Sequence, residues 1–147
     1  MRRACELALG SLLLVACGGA GAPGPLASAS QTAAVSERTV AFADAGATTQ
    51  GRRADGPGIE AVRAGTGLRI TAYMGEQRSG GYAIRIERIT RAGNELRVVA
   101  RFTAPAPDAM VTMALTSPAH TVTVDESADV VVLFDTTGAE RARTSPR

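Results

Sequence analysis

Residues 74–89 read MGEQRSGGYAIRIERI, and this stretch decides the fold class of the chain. Apolar and polar side chains alternate in its second half, where Tyr82, Ile84 and Ile86 share one face. Such a period of two is typical of a strand with one buried face. The first half is a polar turn rich in glycine, which reaches positive φ angles without steric cost. The stretch therefore predicts a β-hairpin that joins a strand ending at residue 73 to one beginning at residue 82.

Short alternating segments continue on both sides of this hairpin. Residues 59–62 fit a short strand or a helical turn, and residues 130–134 form a more continuously apolar strand. Four further strands are predicted, at residues 68–73, 96–102, 111–115 and 121–124. Regularly spaced short strands separated by turns predict an all-β domain over residues 58–135, a small antiparallel meander that forms a sandwich or a partly closed barrel. The polar residues 136–147 are predicted to be a disordered tail.

The composition excludes some classes of function. All 16 basic residues are arginine, and the formal net charge is only +2. This near balance does not support a nucleic-acid interface. Aromatic residues make up 3% of the chain and tryptophan is absent, so the core must consist mainly of valine, isoleucine and leucine from the second half. We expect a small domain of modest stability.

The N-terminus has the features of a signal peptide. Arg2 and Arg3 precede a short apolar segment at residues 7–16, which is too short to span a bilayer as a helix. The segment ends in Leu-Val-Ala-Cys, which resembles the bacterial lipobox. This resemblance implies that residues 1–16 are removed and that Cys17 is acylated.

The lipobox resemblance also implies a location. Several acyl chains on Cys17 would hold the protein firmly on a membrane of the cell envelope. Gly18 stands where the inner-membrane retention signal has aspartate, so the outer membrane is favoured if the host has one. The alternative is an ordinary secretory signal with an incidental cysteine. Cys5 lies in the removed segment, so the remaining chain forms no internal disulfide.

Residues 17–57 are predicted to be a flexible linker. Glycine, alanine, proline and serine dominate residues 18–32, where no apolar period is present. Such a segment buries too little surface to offset its ordering entropy. Residues 35–42 have weak strand character, and residues 44–57 carry turn and loop residues. The linker would hold the domain away from the lipid surface.

Few residues in the chain could support catalysis or bind a metal or cofactor. His120 is the single histidine, and a lone histidine after a proline turn is more often a satisfied polar residue than a member of a triad. The carboxylates of Asp125, Glu126 and Asp129 fit a solvated turn better than a calcium site. We therefore expect no enzymatic activity, no metal, no cofactor and no small-molecule substrate.

Several motifs in order resemble one protein family. Gly75 is followed by Gly-Gly-Tyr-Ala-Ile-Arg-Ile at residues 80–86, then by Pro105 and by Leu-Thr-Ser-Pro at residues 115–118. This order resembles the C-terminal domain of protease complex subunit PrcB, over residues 68–124. Ala119 departs from the family, which usually has tyrosine there, and the segment before residue 68 does not resemble the longer N-terminal part of many relatives. The resemblance implies a secreted or lipid-anchored accessory protein that binds and stabilises a serine protease without being catalytic.

The turn of the hairpin is the predicted partner site. The fold does not need the side chains at its polar tip, whereas the two glycines shape the turn and the tyrosine is expected to fill the core. The candidate residues are Glu76, Gln77, Arg78, Ser79, Gly80, Gly81 and Tyr82. Two alternatives stay open. One is a protease inhibitor of the chagasin type, which has a similar glycine-rich turn, and the other is a structural envelope lipoprotein without a dedicated partner.

Overall fold

The described part of the chain folds into two β-sheets. The structure is a computed structural model that describes residues 36–52 and 54–147. The strands are β1 (Arg38–Val40), β2 (Ala43–Thr48), β3 (Gly58–Ala64), β4 (Gly67–Tyr73), β5 (Ala83–Ala92), β6 (Glu95–Thr103), β7 (Ala119–Val124), β8 (Val130–Asp135) and β9 (Glu140–Thr144). In this part of the chain no helix is long and apolar enough to cross a membrane. The predicted all-β class is confirmed.

The two sheets interleave along the sequence. A five-stranded sheet has the order β1-β5-β6-β8-β9, and a four-stranded sheet has the order β2-β7-β4-β3. All neighbouring strands are antiparallel except β6 and β8, which are parallel. This parallel pair is possible because the chain leaves β6, forms β7 in the other sheet and then returns, which gives it the long crossover that parallel strands need. The sheets form a sandwich and do not close into a barrel.

The space between the sheets contains one hydrophobic core. In β6 the alternate residues Leu96, Val98 and Ala100 are fully buried, as the sequence pattern predicts. In β5 the buried face passes from Ile86 to Ile89, because a β-bulge between residues 86 and 88 inserts one extra residue. Both sheets contribute to the same cluster of buried side chains, so neither sheet buries its apolar face alone.

The predicted hairpin is wrong. β4 pairs with β3 and β7, whereas β5 pairs with β1 and β6. Residues 74–82 therefore connect one sheet to the other across the sandwich. The alternating pattern indicates that a strand has one buried face, but it does not identify the strand's neighbour.

The predicted strand at residues 111–115 is also wrong, since the whole segment from residue 104 to residue 118 is irregular apart from isolated bridges at its C-terminal end. Its apolar residues do not share a buried face: Met113 is 89% and Leu115 49% exposed. The ambiguous segment at residues 59–62, by contrast, is a strand and forms part of β3.

Part of the predicted linker is ordered structure. β1 lies within the weak strand predicted at residues 35–42, but β2 occupies residues predicted to form a loop. The sequence of β2 is Ala-Asp-Ala-Gly-Ala-Thr, which has no apolar alternation, and all six residues are exposed. The strand is held through its backbone against β7, and this pairing leaves no pattern in the side chains. The predicted signal peptide and the rest of the linker up to residue 35 lie outside the described residues.

The predicted disorder of residues 136–147 is wrong as well. β9 pairs with β8 over residues 140–144. The Asp135 carboxylate shapes the preceding turn, because it accepts hydrogen bonds from Thr137 N–H at 2.9 Å and Ala139 N–H at 3.0 Å and pairs with Arg141 at 2.7 Å. Hydrogen bonds from the Thr137 hydroxyl, the Ala139 amide and the Arg141 guanidinium hold the pKa of Asp135 well below its usual range, despite its burial. Turn chemistry and backbone pairing thus order a segment whose side chains are almost all polar.

Candidate functional site

The predicted partner site lies where three loops meet at one end of the sandwich. We call the loops at residues 49–52 with 54–57, 74–82 and 104–118 together the loop end. Ser117 connects the first and third loops, because its N–H donates to Thr49 O at 2.8 Å and Gly51 N–H donates to Ser117 O at 2.6 Å. The Ser117 hydroxyl, which is buried, also donates to Arg52 O. The loop end is therefore a hydrogen-bonded unit built from distant parts of the sequence.

The second loop is fixed to the third by backbone pairing. Gln77 and Thr116 form an isolated antiparallel bridge, with N–H to O distances of 2.8 and 2.9 Å in the two directions. Gly80 N–H donates to Thr112 O at 2.9 Å, and the Thr116 hydroxyl donates to Ser79 O at 2.8 Å. Thus backbone groups of Gln77, Ser79 and Gly80 join the second loop to the third, and these groups are not available to a partner.

The two adjacent glycines are needed because the third loop approaches closely. A Cβ atom at Gly80 would lie 2.6 Å from the Thr112 hydroxyl oxygen. Gly81 has a φ of +85°, and a Cβ there would lie 2.8 Å from a carbon of Pro105. The first glycine therefore provides space, whereas the second provides both space and a left-handed backbone conformation. These contacts confirm that the turn needs positive φ, although the turn joins two sheets and not two paired strands.

The polar tip of the turn is accessible. Glu76 and Arg78 are exposed, while Gln77 and Ser79 are half-buried. The Glu76 backbone N–H donates to Ala54 O at 2.9 Å, so the side chain is held at a fixed point of the loop end. The two exposed side chains have opposite charges and can provide polar contacts to a partner.

Tyr82 does not fill the core as predicted. It is half-buried and lies at the wall of a surface cavity of about 370 Å³. Residues 47–49, 82–84 and 118–119 line this cavity. The core needs no aromatic side chain at this point because Ile84 and Ile86 already face it from β5.

Sequence reasoning missed three exposed apolar side chains in the third loop. Met110 is fully exposed, Met113 is largely exposed and Leu115 is about half exposed. Together we call them the methionine patch. The available signal was two methionines and a leucine close together in a segment bounded by prolines, in which Asp108 is the one charged residue. Assigning them to a strand with one buried face hid this signal.

His120 is a buried structural residue on β7 that contacts β5 of the other sheet. Its Nδ1 accepts a hydrogen bond from Ile86 N–H at 3.1 Å, and its Nε2 lies 3.2 Å from the Asp44 carboxylate. The first contact requires a lone pair on Nδ1, so the proton of the neutral ring is on Nε2. The pKa of Asp44 is lowered mainly by the hydrogen bond that its carboxylate accepts from Gly46 N–H at 2.8 Å. His120 and Arg85 lower this pKa further. Both ring nitrogens are thus engaged, as expected of a satisfied polar residue.

The acidic turn after β7 also has structural partners. Glu126 forms salt bridges with Arg38 at 2.8 Å and Arg91 at 3.2 Å, and Asp129 accepts a hydrogen bond from Asn94 at 2.7 Å. Within residues 36–52 and 54–147, no group of three or more histidine, cysteine, aspartate or glutamate side chains is placed to hold a metal ion. The carboxylates of the turn stabilise the connections around β1 and β6.

Comparison with known proteins gives one family match. No curated protein and no solved structure matches the chain significantly. The matched segment covers less than half of the chain, and it contains β4 to β7 together with the second and third loops of the loop end. The family name connects this segment with a protease complex subunit. Residues 68–125 match the PrcB C-terminal family, and this match confirms the resemblance that the sequence motifs indicate.

Proposed function

We propose that the protein is a non-catalytic accessory subunit that binds and stabilises a secreted protease. In this proposal the chain is lipidated at Cys17 and anchored to a membrane of the cell envelope, the outer membrane if the host has one. The charged n-region, the short apolar segment and the lipobox-like sequence support the anchor. The family match over residues 68–125 supports the connection with a protease complex.

The observation that carries the proposal is the methionine patch beside the polar tip of the turn. An apolar side chain that becomes buried in an interface contributes about 1.5–3 kcal/mol, and Met110 and Met113 are almost entirely available for burial. Methionine is flexible and polarizable, so it adapts to an irregular partner surface. Both residues lie within the segment that matches the family.

The charged side chains around the patch provide the polar rim of this interface. Glu76 and Arg78 are exposed on the neighbouring loop, which is tied to the third loop through Gln77 and Thr116. Charges at a rim affect the rate and the specificity of association more than the final affinity. We therefore assign affinity to the methionine patch and partner choice to the turn.

The lack of catalytic activity is supported by the surroundings of His120. Its two nitrogens are engaged by Ile86 N–H and Asp44, so neither is available as a base toward a substrate. The purified protein should have no proteolytic, esterase or phosphatase activity. Turnover that His120→Ala abolishes would contradict the proposal.

Capture from an envelope extract tests the binding function. The bait is the full chain, and a fluorophosphonate probe detects captured serine proteases by their active site. We expect the Met110→Ser/Met113→Ser variant to capture about tenfold less protease than the wild type, because each substitution removes apolar area from the interface. Val62→Ser is the matched control, since Val62 is an exposed apolar residue on β3, outside the loop end.

Three outcomes discriminate the alternatives. Equal capture by the double variant and the wild type would contradict the assignment of the interface to the methionine patch. Inhibition of the captured protease, or of added papain-like proteases, would indicate an inhibitor of the chagasin type. Absence of any captured protease would favour a structural lipoprotein. A lipid-labelling experiment with Cys17→Ala tests the anchor, and unchanged labelling of that variant would contradict it.

A further inference from the structure

One strand of the sandwich has an unpaired edge. β5 pairs with β6 along its full length from Ala83 to Ala92. On its other side, β1 covers only Ile89, Thr90 and Arg91. After β1 the chain crosses to the four-stranded sheet and forms β2, so no strand in the described part of the chain pairs with residues 83–88 from that side.

The backbone of Ile84 faces this open edge. In an antiparallel pair, alternate residues direct their N–H and C=O groups toward the partner strand and away from it. Ile86 N–H donates to His120 Nδ1, so the backbone groups of Ile86 face away from β6. Ile84 is two residues earlier in the same uninterrupted register and therefore faces away from β6 too. Among the described residues, its N–H and C=O have no partner on the open side.

A groove runs beside these free backbone groups. The cavity of about 370 Å³ lies between β5 and the edge strand β2. Small side chains leave the space open, since Ala47, Ala83 and Ala119 all line it, and the Tyr82 ring forms part of its wall. Antiparallel strands lie about 4.8 Å apart, and a strand added at this edge would place alternate side chains into the cavity.

The charges beside the groove indicate which kind of chain fits. Arg85 and Arg88 are exposed on β5, and the salt bridges within residues 36–52 and 54–147 involve neither of them. A second copy of this chain that paired edge to edge would bring four arginines together at the joint. A partner strand with acidic side chains would instead neutralise them.

We propose that the edge of β5 at Ile84 is a strand-addition site for an extended, acidic segment of a partner protein. The added strand donates to and accepts from the Ile84 backbone, places a small apolar side chain in the cavity, and pairs an acidic side chain with Arg85. Main-chain hydrogen bonds supply affinity in this mode of recognition, and the cavity and the arginine supply specificity. The inference rests on the proposed function in that the protease partner would carry the segment.

Selection of peptides tests the site without knowledge of the partner. The full chain, purified in mild detergent, is used to select from a display library of random peptides of about ten residues. We expect enrichment of peptides that alternate small apolar and acidic residues. The best of them should slow hydrogen exchange of the Ile84 amide about tenfold, while the Arg85 amide, which already bonds to β6, changes little.

Two pairs of variants locate the binding. Ala47→Trp fills the cavity and should abolish peptide binding, whereas Ala45→Trp, on the same exposed strand but outside the cavity, should leave it unchanged. Arg85→Glu should weaken binding of acidic peptides about tenfold. Its control, Arg63→Glu, lies on β3 at the opposite flank and should have no effect.

The outcomes separate this inference from the proposed function. No enrichment of such peptides, binding that survives Ala47→Trp, or an unchanged Ile84 amide would each overturn the strand-addition site. If protease capture still depends on Met110 and Met113 in that case, the proposed function stands and the partner binds through the methionine patch alone. If no protease is captured but strand addition occurs, the groove serves another partner and the proposed function fails.

Discussion

The two flanks of the sandwich differ in how the backbone groups of their edges are paired. The closed flank carries the edge strands β3 and β9, and here Arg147 crosses between the sheets: its N–H donates to Ala61 O at 3.1 Å, and its main-chain oxygen accepts from Arg63 N–H at 2.8 Å. The open flank carries β1 and β2, and there the early crossing of the chain leaves the Ile84 backbone without a partner among residues 36–52 and 54–147. Exposed strand edges favour unwanted pairing, so natural proteins usually cover them.

This difference indicates where the fold tolerates an unpaired edge. On the open flank His120 covers Ile86 N–H but not the backbone of Ile84. The groove beside Ile84 is next to the loop end, because Tyr82 and Pro118 belong to both. The uncovered edge and the methionine patch therefore lie at the same end of the molecule, where a single partner can contact both.

The largest expected effect is the loss of the His120 side chain on the open flank. His120→Ala leaves Ile86 N–H buried without an acceptor and creates a cavity between the strands. We expect the free energy of unfolding to fall by about 2–4 kcal/mol, measured by denaturant titration. Asp44→Asn serves as the companion variant, and it should cost much less because the Asp44 side chain is half exposed. An equal decrease in the free energy of unfolding in both variants would contradict the role given to the hydrogen bond between His120 and Ile86.

A smaller effect is expected from opening the closed flank. Deletion of residues 145–147 removes the two hydrogen bonds to β3 and the contact between Arg147 and Glu60. The loss should be about 1–2 kcal/mol, since a typical hydrogen bond contributes about 1 kcal/mol net. The freed edge of β3 should also promote self-association, which light scattering detects. Unchanged stability together with a monomeric state would contradict the role given to Arg147.

The mildest change concerns the turn that leads into β9. Asp135→Asn keeps the shape of the side chain and one acceptor oxygen, but it removes the charge. The folded-state pKa of Asp135 is lowered, so its charge stabilises the fold fully above about pH 5 and progressively less as the pH falls below the unfolded value of about 4. The difference in melting temperature between wild type and variant should therefore shrink between pH 5 and pH 2. A difference that stays constant over this range would contradict the assignment.

The sequence predicts the fold where side chains alternate. The buried faces of β5 and β6 are predicted correctly by the alternation of apolar residues. Ile84, Ile86, Leu96 and Val98 are all buried in the core. The strand β2 and the partner of β4 could not be predicted, since main-chain hydrogen bonds determine both and leave no pattern in the side chains. β9 could not be predicted either, because its pairing with β8 also rests on main-chain hydrogen bonds. The sequence does contain two signals of the turn before it, Asp135 and Gly138.

The candidate site was predictable only in part. The two glycines and the polar residues of the turn were identified correctly as a loop exposed at its tip. The methionine patch and the groove were not, because both depend on which distant segments meet the turn. Thr112 and Thr116 bring the third loop to it through bonds to Gly80 and Gln77, and no local sequence signal encodes that contact.

Hydrogen exchange of two backbone amides tests the central claim, the difference between the flanks, most directly. Arg63 N–H on β3 is bonded to Arg147, whereas Ile84 N–H on β5 faces the groove. After correction for intrinsic rates, NMR of the free full chain should show the Ile84 amide exchanging at least about tenfold faster than the Arg63 amide. An Ile84 amide that is protected as strongly as that of Arg63 would contradict the account.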